Sequence, residues 1–289
     1  MKLMFIADIT GRPGRWVVSQ LLWAFKRKHA IDFVVANVEN AAGGYGLTDE
    51  MCEKFFSYGV DIQTSGNHIW DRLETQDLLA REPHLLRPAN YPPGVPGVGS
   101  AVKTTAEGVR VGVLNLQGRV FMKEIDCPFR IADSEIEHLR AETDVIFVDF
   151  HAEATSEKQA MGYYLDGRVS AVIGTHTHVQ TADECILPAG TAYLTDAGMT
   201  GPHDSVLWVK PEDAIKRFLT GLPHKFRIAD GDIRMCGVVV ELDPASGLAT
   251  GIERFSLAFD GSQTAREYFG LPPREVSESE PRSIGPDEV

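Results

Sequence analysis

The stretch Leu3–Val18, which reads LMFIADITGRPGRWVV, contains the clearest signals of the fold class of this chain. The apolar run Leu3–Ala7 predicts a buried strand, and Asp8 follows it directly. Pro13 suits the first turn of a helix, which we expect to reach Lys26-Arg27-Lys28, where positive charge complements the helix dipole. A strand, a polar loop and a helix in this order form the repeating unit of an α/β sheet.

Strand and helix patterns continue to alternate from residue 2 to residue 82. A second helix is predicted to open at Thr48 and to close at Gly59, because Met51, Phe55 and Tyr58 fall on one stripe at helical spacing. The alternation favours an α/β fold over an all-α or all-β fold.

The Pro-rich segment Tyr91–Gly97 interrupts the alternation. Beyond it, Ala101–Thr105 and Val109–Leu114 predict two strands that pair antiparallel. Helix and strand patterns then resume, and a further hairpin is predicted around Pro244–Gly247. The chain should therefore contain mixed sheets, with both parallel and antiparallel pairs.

Size and charge restrict the classes of protein to consider. The chain has 289 residues, of which 43% are hydrophobic, so it can bury a full core. We predict one domain over residues 1–270 and a mobile tail over residues 271–289, which are rich in Pro, Ser and Glu. The net charge of −13 argues against a protein that coats nucleic acid. A small phosphorylated substrate is compatible with this charge, because bound metal ions can supply positive charge locally.

The cysteines indicate a reducing compartment. All four are scattered, without C-x-x-C spacing, at Cys52, Cys127, Cys185 and Cys236. Such thiols are typical of a cytoplasmic protein. No window approaches the ~18 apolar residues of a membrane span, so we expect no membrane partner.

Side chains that can bind metals stand at the ends of predicted strands. They are Asp8, Glu39, Asn40, Asn67, His151, His176 and His178. Ligands in open α/β sheets gather where strands end. Carboxylate, amide and imidazole ligands together suit iron, manganese or zinc better than calcium. The pattern is typical of a two-metal hydrolase.

Some of these motifs also have a purely structural explanation. Gly66-Asn67 can form an ordinary turn, since both residues tolerate positive φ, and Asp8 can cap the first helix. His176 and His178 favour a site, because residues two apart on an extended segment point the same way. Glu39 would place a charge at the mouth of an apolar sheet, where it requires a cation. The Gly-rich segment Ala41–Gly46 lacks both G-x-G-x-x-G and a Walker Lys, which indicates a flexible rim rather than a dinucleotide site.

Taken in chain order, Asp8, Gly66-Asn67-His68, His151 and Gly174–His178 resemble the motifs of the calcineurin-like metallophosphoesterases. The usual D-x-H opening is Asp8-Ile9-Thr10 here, so its His is missing. The remaining departures are Asn37–Gly44 in place of G-D-x-x-D and Gly66–Asp71 in place of GNHE.

These departures are similar to those of the YmdB-type metallophosphoesterases. The resemblance covers most of residues 1–258 and includes Ala7–Gly14, Asn115–Arg119 and Thr195–Gly201. It implies a four-layer α/β/β/α sandwich, with mixed β-sheets packed between helices. It also implies a phosphodiesterase with two metal ions, iron or manganese before zinc, that converts 2′,3′-cyclic nucleotides to 3′-nucleotides.

The resemblance further implies a division of the ligands. Asp8, Asn40 and His178 hold one ion, and Asn67, His151 and His176 hold the other. The carboxylate of Glu39 bridges the two ions, and Asn40 takes the place of the missing His.

In the reaction that the resemblance implies, a metal-bridging hydroxide attacks phosphorus opposite the departing sugar oxygen. His68, next to Asn67, then acts as the general acid that protonates this oxygen. Tyr45, Arg119 and Phe121 lie in predicted loops and are weaker candidates for contacts with the substrate.

Two other classes stay open from the sequence. An amidohydrolase-type metallohydrolase also uses H-x-H on a strand, but there the motif comes early in the chain, whereas His176 and His178 come late. A metal-stabilised regulatory protein could bind a nucleotide without turnover on the same fold. Activity on RNA ends and self-association are also left open.

Overall fold

The computed structural model describes residues 1–272, 285 and 289, so most of the predicted tail lies outside the described residues. The strands are β1 (Lys2–Ile6), β2 (Phe33–Asn37), β3 (Ile62–Thr64), β4 (Ser100–Thr104), β5 (Arg110–Gln117), β6 (Ile146–His151), β7 (Ala171–Thr175), β8 (Cys185–Ile186), β9 (Ala192–Leu194), β10 (Gly201–Pro202), β11 (Ile233–Leu242) and β12 (Ala249–Ala258). The helices are α1 (Gly11–His29), α2 (Asp49–Tyr58), α3 (Glu74–Arg81), α4 (Pro128–Arg140), α5 (Thr155–Leu165), α6 (Pro211–Thr220) and α7 (Ala265–Phe269), with a 3₁₀ helix at Asn67–Asp71.

The strands form two mixed sheets. In the first sheet the order is β10-β11-β1-β2-β3, and β12 pairs with β11. β1, β2 and β3 run parallel, while β11 runs antiparallel to β1. In the second sheet the order is β4-β5-β6-β7-β9-β8. There β5, β6, β7 and β9 run parallel, and the two outer strands are antiparallel to their neighbours.

The two sheets pack face to face between layers of helices. One apolar cluster lies between the sheets, where the rings of Phe5 and Phe147 have centroids 5.1 Å apart. A second cluster joins the first sheet to α1 and α2, and a third joins the second sheet to α4 and α5. The layers are therefore helix, sheet, sheet and helix, which confirms the predicted α/β fold.

Local signals in the sequence place several elements correctly. Thr48 accepts a hydrogen bond from the backbone N of Met51 at the start of α2, and Gly59 ends the helix with φ 101°. The predicted hairpins are present as β4–β5 and β11–β12. α4 begins at Pro128, because proline suits the first turn of a helix. Within the described residues, no helix combines the length and the apolar content needed to cross a membrane.

Candidate metal centre

The carboxyl ends of both sheets meet at one edge of the molecule. In the first sheet, Asp8, Glu39 and Asn67 come shortly after the ends of β1, β2 and β3. In the second sheet, His151 ends β6, and His176 follows β7 directly. Parallel strands bring their carboxyl ends to the same side of a sheet, so side chains from distant parts of the chain converge there.

Glu39, His151 and His176 form the closest group of potential ligands. Each offers one ligand atom, and these atoms all lie within 4.8 Å of one another. His151 Nε2 is 2.9 Å from Glu39 Oε1 and 3.0 Å from His176 Nδ1. Asn67 Oδ1 lies 3.1 Å from the same His151 nitrogen. Ligand atoms of Glu39, Asn67 and His176 therefore lie close to His151 Nε2, so a cation at this point could bind several of them.

Asp8 and His178 form an adjoining pair. His178 Nε2 is 3.3 Å from Asp8 Oδ2, and the backbone N of His176 donates to the same oxygen at 3.0 Å. Asn40 donates from its amide nitrogen to Gly44 O at 2.8 Å, which orients the amide group. The backbone of His176 therefore links this pair to the first group.

Four buried polar atoms at this edge make no hydrogen bond with any described residue. They are Asp8 Oδ1, Glu39 Oε1, Asn40 Oδ1 and His178 Nδ1, of which Glu39 Oε1 has only its ion contact with His151. Buried polar atoms in proteins are nearly always satisfied, and leaving them unpaired costs free energy. Oxygen atoms and imidazole nitrogens of this kind are common ligands of transition-metal cations. The residues present thus fit a metal ion.

The charges at this edge depend on one another. Burial alone would lower the pKa of His151, but the nearby carboxylate of Glu39 outweighs it and raises the pKa to about 9. Burial lowers the pKa of His176 to about 3, and the neighbouring His151 adds to this effect. Burial opposes ionisation of Asp8, yet contacts with His178 hold its pKa at about 2. The carboxylates of the site are therefore ionised and can bind a cation.

The buried hydroxyl of Thr175 and the buried carboxylate of Asp149 orient the His151 ring through its Nδ1 atom. His151 Nδ1 lies 2.9 Å from Thr175 Oγ1, and Thr175 donates its hydroxyl proton to Asp149 Oδ1 at 2.7 Å. The hydroxyl must then accept from Nδ1–H, which turns Nε2 towards Glu39. Burial raises the pKa of Asp149 to about 6, although Thr64 also donates to this carboxylate. Such partners behind a metal-binding histidine fix its tautomer and ring orientation.

His176 and His178 reach the site differently from the prediction. They were expected on an extended segment, but β7 ends at Thr175, and the two histidines have φ of 98° and 64°. Residues other than glycine rarely adopt these values, which cost about 1–3 kcal/mol each. The prediction of an extended segment is therefore wrong, and a turn brings the two rings to the same edge.

Gly66 also serves a purpose other than the predicted turn. Its φ is −153°, which any residue can adopt. A Cβ at this position would lie 2.1 Å from His151 Cδ2. The absence of a side chain thus makes room for the His151 ring beside Asn67.

His68 lies at the start of the 3₁₀ helix rather than in an irregular loop. Its backbone N donates to Glu39 Oε2 at 2.7 Å, and its Nδ1 is 2.7 Å from Asp71 Oδ2. The ring is half-buried, and the edge of the Tyr45 ring faces it with centroids 4.9 Å apart. His68 is therefore fixed beside Glu39. Asp71 contacts Nδ1 of the ring and not Nε2.

Of the three weaker candidates for substrate contact, Tyr45 and the loop of Arg119 lie at this edge. Tyr45 is 39% exposed beside His68. The loop of Arg119 begins next to His151, since Gly118 N donates to His151 O at 2.9 Å, and Glu157 accepts from the backbone N of Arg119. Phe121 is 90% exposed, and no contact joins it to the ligand cluster among the described residues.

Three aspartates that contact this edge or its neighbours, Asp149, Asp71 and Asp196, were not predicted as site residues from the sequence. Asp149 carried a usable signal, because a carboxylate inside the apolar run Val145–Phe150 must find polar partners in the core. Asp71 and Asp196 were noted only as parts of longer motifs, and neither position shows a signal of its own.

The two sheets and the mixed ligand edge define a calcineurin-like metallophosphoesterase fold, and the chain is an enzyme of this class. The family model described as YmdB-like protein matches residues 4–255, so the chain belongs to the YmdB-like family. It is 48% identical to the 2′,3′-cyclic-nucleotide 2′-phosphodiesterase of Bacillus subtilis over 260 residues, which covers 90% of this chain and 98% of that protein.

Two solved structures are similar over nearly the whole domain. A hypothetical protein from Thermus thermophilus has a TM-score of 0.83 and 41% identity, covering 89% of this chain and 99% of its own. A novel phosphatase from Mycoplasma pneumoniae has a TM-score of 0.83 and 33% identity, covering 89% of this chain and 93% of its own. The predicted family is confirmed, while the roles of individual site residues stay predictions.

Proposed function

We propose that this chain is a dinuclear metal-dependent phosphodiesterase that hydrolyses 2′,3′-cyclic nucleotides to 3′-nucleotides. The observation that carries the proposal is a set of buried atoms that can bind a metal and that have no hydrogen bond among the described residues. They belong to Asp8, Glu39, Asn40 and His178, next to the group of Glu39, His151 and His176. Glu39 belongs to both sets. The name of the relative from B. subtilis supports the choice of substrate.

Each metal position uses a different set of side chains. Asp8, Asn40 and His178 would hold one ion, and Asn67, His151 and His176 would hold the other. The Glu39 carboxylate would serve both ions. Its Oε1 lies beside His151, and its Oε2 accepts a hydrogen bond from the backbone N of His68. Mixed oxygen and nitrogen donors suit iron, manganese or zinc, and the family resemblance favours iron or manganese, with zinc as the alternative. When bound, such a pair of ions neutralises phosphate charge and lowers the pKa of a bound water.

His68 is the general acid in this proposal. Opening a 2′,3′-cyclic phosphate towards a 3′-nucleotide breaks the bond between phosphorus and the 2′ oxygen, and the alkoxide that departs needs a proton. Asp71 accepts from His68 Nδ1–H, which leaves Nε2 to hold and donate the proton. The hydrogen bond from its backbone N to Glu39 holds His68 beside this carboxylate, where the phosphate would bind.

The substrate should be small. With a net charge of −13, the chain lacks the positive excess that coating a nucleic acid requires. Tyr45 is partly exposed, and its ring lies against that of His68 with centroids 4.9 Å apart, so it would contact the nucleoside. We therefore favour mononucleotides over long RNA, with RNA ends as a second substrate to test.

Metal analysis and product analysis test the proposal together. Purified protein should contain about two transition-metal ions per chain, in line with a two-metal site. It should convert 2′,3′-cyclic AMP to 3′-AMP, and removal of the metal should abolish the reaction until the metal is restored. Bound metal without turnover of any phosphodiester would instead support the regulatory alternative. A 2′-nucleotide as the only product would contradict the assigned leaving group.

A further inference from the structure

A buried ion pair lies behind the two histidines that follow β7. Lys158 in α5 donates from Nζ to Asp196 Oδ2 at 2.6 Å, and both side chains are only 1% exposed. Neither residue belongs to the predicted ligand set. Burying two charges costs free energy even when they are paired. The residues that the pair contacts therefore indicate its role.

Asp196 holds Thr177, the residue between His176 and His178. The backbone N of Thr177 donates to Asp196 Oδ2 at 3.1 Å, and its hydroxyl donates to the same oxygen at 2.8 Å. The second oxygen of Asp196 accepts from Gly198 N at 2.8 Å. The carboxylate therefore fixes both the backbone and the side chain of Thr177.

The conformation that is fixed in this way is an unfavourable one. His176 and His178, on either side of Thr177, both have positive φ, a region that residues with a Cβ rarely occupy. Strained residues of this kind persist only where the surrounding structure determines them. Two hydrogen bonds to a charged oxygen at the intervening residue supply this constraint, because charge-assisted bonds are stronger than neutral ones.

The absence of a side chain at Gly174 leaves space for the ion pair. A Cβ at Gly174 would lie 1.8 Å from Thr195 O and 3.0 Å from Lys158 Cδ. Only glycine leaves room for the chain before Asp196 and for the Lys158 stem to reach this position together. The close approach places the carboxylate directly under the turn of the histidines.

We infer that Asp196, with its partner Lys158, is a positioning residue that holds the turn His176-Thr177-His178 so that both imidazoles face the metal centre. The inference rests on the proposed metal-binding function. It adds a requirement outside the ligand set, since the histidines need this carboxylate in order to converge. Without it, both would relax towards negative φ and their rings would separate.

Metal affinity, measured apart from stability, tests the inference. The variants are Thr177→Val, which removes one donor and preserves shape, and the double variant Lys158→Met with Asp196→Asn, which removes the charges together. Binding of Co²⁺ to metal-free protein is followed by absorption, and urea unfolding of the same metal-free samples is recorded in parallel. We expect folded proteins whose Co²⁺ affinity falls by about 10- to 100-fold, as for other partners behind metal ligands.

Asp183→Asn is the matched control. Asp183 accepts from the backbone N and the hydroxyl of Thr195, one residue before Asp196, but it does not contact the turn. Its loss should lower stability and leave Co²⁺ affinity unchanged.

The stoichiometry of the wild type separates the possible outcomes. If the wild type binds two ions and both test variants bind them equally tightly, the inference is overturned while the proposed function stands. If the test variants and Asp183→Asn lose affinity only in proportion to lost stability, the role of Asp196 is structural and the inference also fails. A wild type that binds no Co²⁺ contradicts the proposed function itself.

Discussion

Glu39 Oε1 lies 2.9 Å from His151 Nε2, although Glu39 follows a strand of the first sheet and His151 ends a strand of the second. The contact joins the carboxyl edges of both sheets at a point that is almost inaccessible to solvent. The candidate metal centre is therefore a property of the interface between the sheets, and neither sheet contains it alone.

Glu39→Ala should lower metal occupancy at both positions, because Glu39 alone is assigned to both ions, whereas Asp8→Ala should lower occupancy mainly at one. Metal content per chain, measured by mass spectrometry of purified variants, checks this. Glu50→Ala is a suitable control, since Glu50 is a largely exposed carboxylate on α2 that pairs with Lys54. A Glu39→Ala protein that kept about two ions and normal turnover would rule out the dinuclear assignment.

His68→Ala should retain the metal ions and slow hydrolysis of a 2′,3′-cyclic nucleotide by ~10²–10⁴-fold, the usual cost of losing a general acid. Steady-state kinetics on two substrates measure this. Nitrophenolate leaves without a proton, so the deficit should shrink on a nitrophenyl phosphodiester. Equal losses on both substrates would make His68 a residue that binds phosphate or stabilises the transition state.

Asp71→Asn should also slow hydrolysis of a 2′,3′-cyclic nucleotide, by less than the ~10²–10⁴-fold expected for His68→Ala. The reason is that Asp71 acts only through its 2.7 Å contact with His68 Nδ1. In the double variant with His68→Ala, the Asp71 change should add almost nothing, because residues that act as a unit are not additive. Additive losses in kcat would show that Asp71 acts independently of His68.

Thr175→Val should reduce affinity for the ion at His151 by about 10- to 100-fold, since it removes the hydroxyl that links His151 to Asp149. Titration of metal-free protein with Mn²⁺ gives the affinity, and urea unfolding gives the stability. Thr191→Val is the matched control, because Thr191 is a buried threonine whose hydroxyl donates to Val169 O, away from the site. If Thr175→Val bound Mn²⁺ as tightly as Thr191→Val, Thr175 would have no role in the metal centre.

The fold could be predicted largely from local pattern. Apolar runs such as Phe33–Val38 mark buried strands, and Thr48 with Gly59 marks both ends of α2, because capping and periodicity depend on near neighbours in the chain. The family motifs then indicated which side chains belong at the strand ends. The sequence alone therefore determined the α/β class, the family and the candidate ligands.

The way in which those side chains meet follows from long-range packing and is visible only in the three-dimensional structure. The positive φ of His176 and His178, the space that Gly66 leaves for His151, and the burial of the Asp196 carboxylate have no local signature. Each depends on residues far away in the chain that the packing of two sheets and of α5 brings into contact. Sequence periodicity reports which face of an element is buried, but the partners of a buried polar atom are chosen by long-range packing.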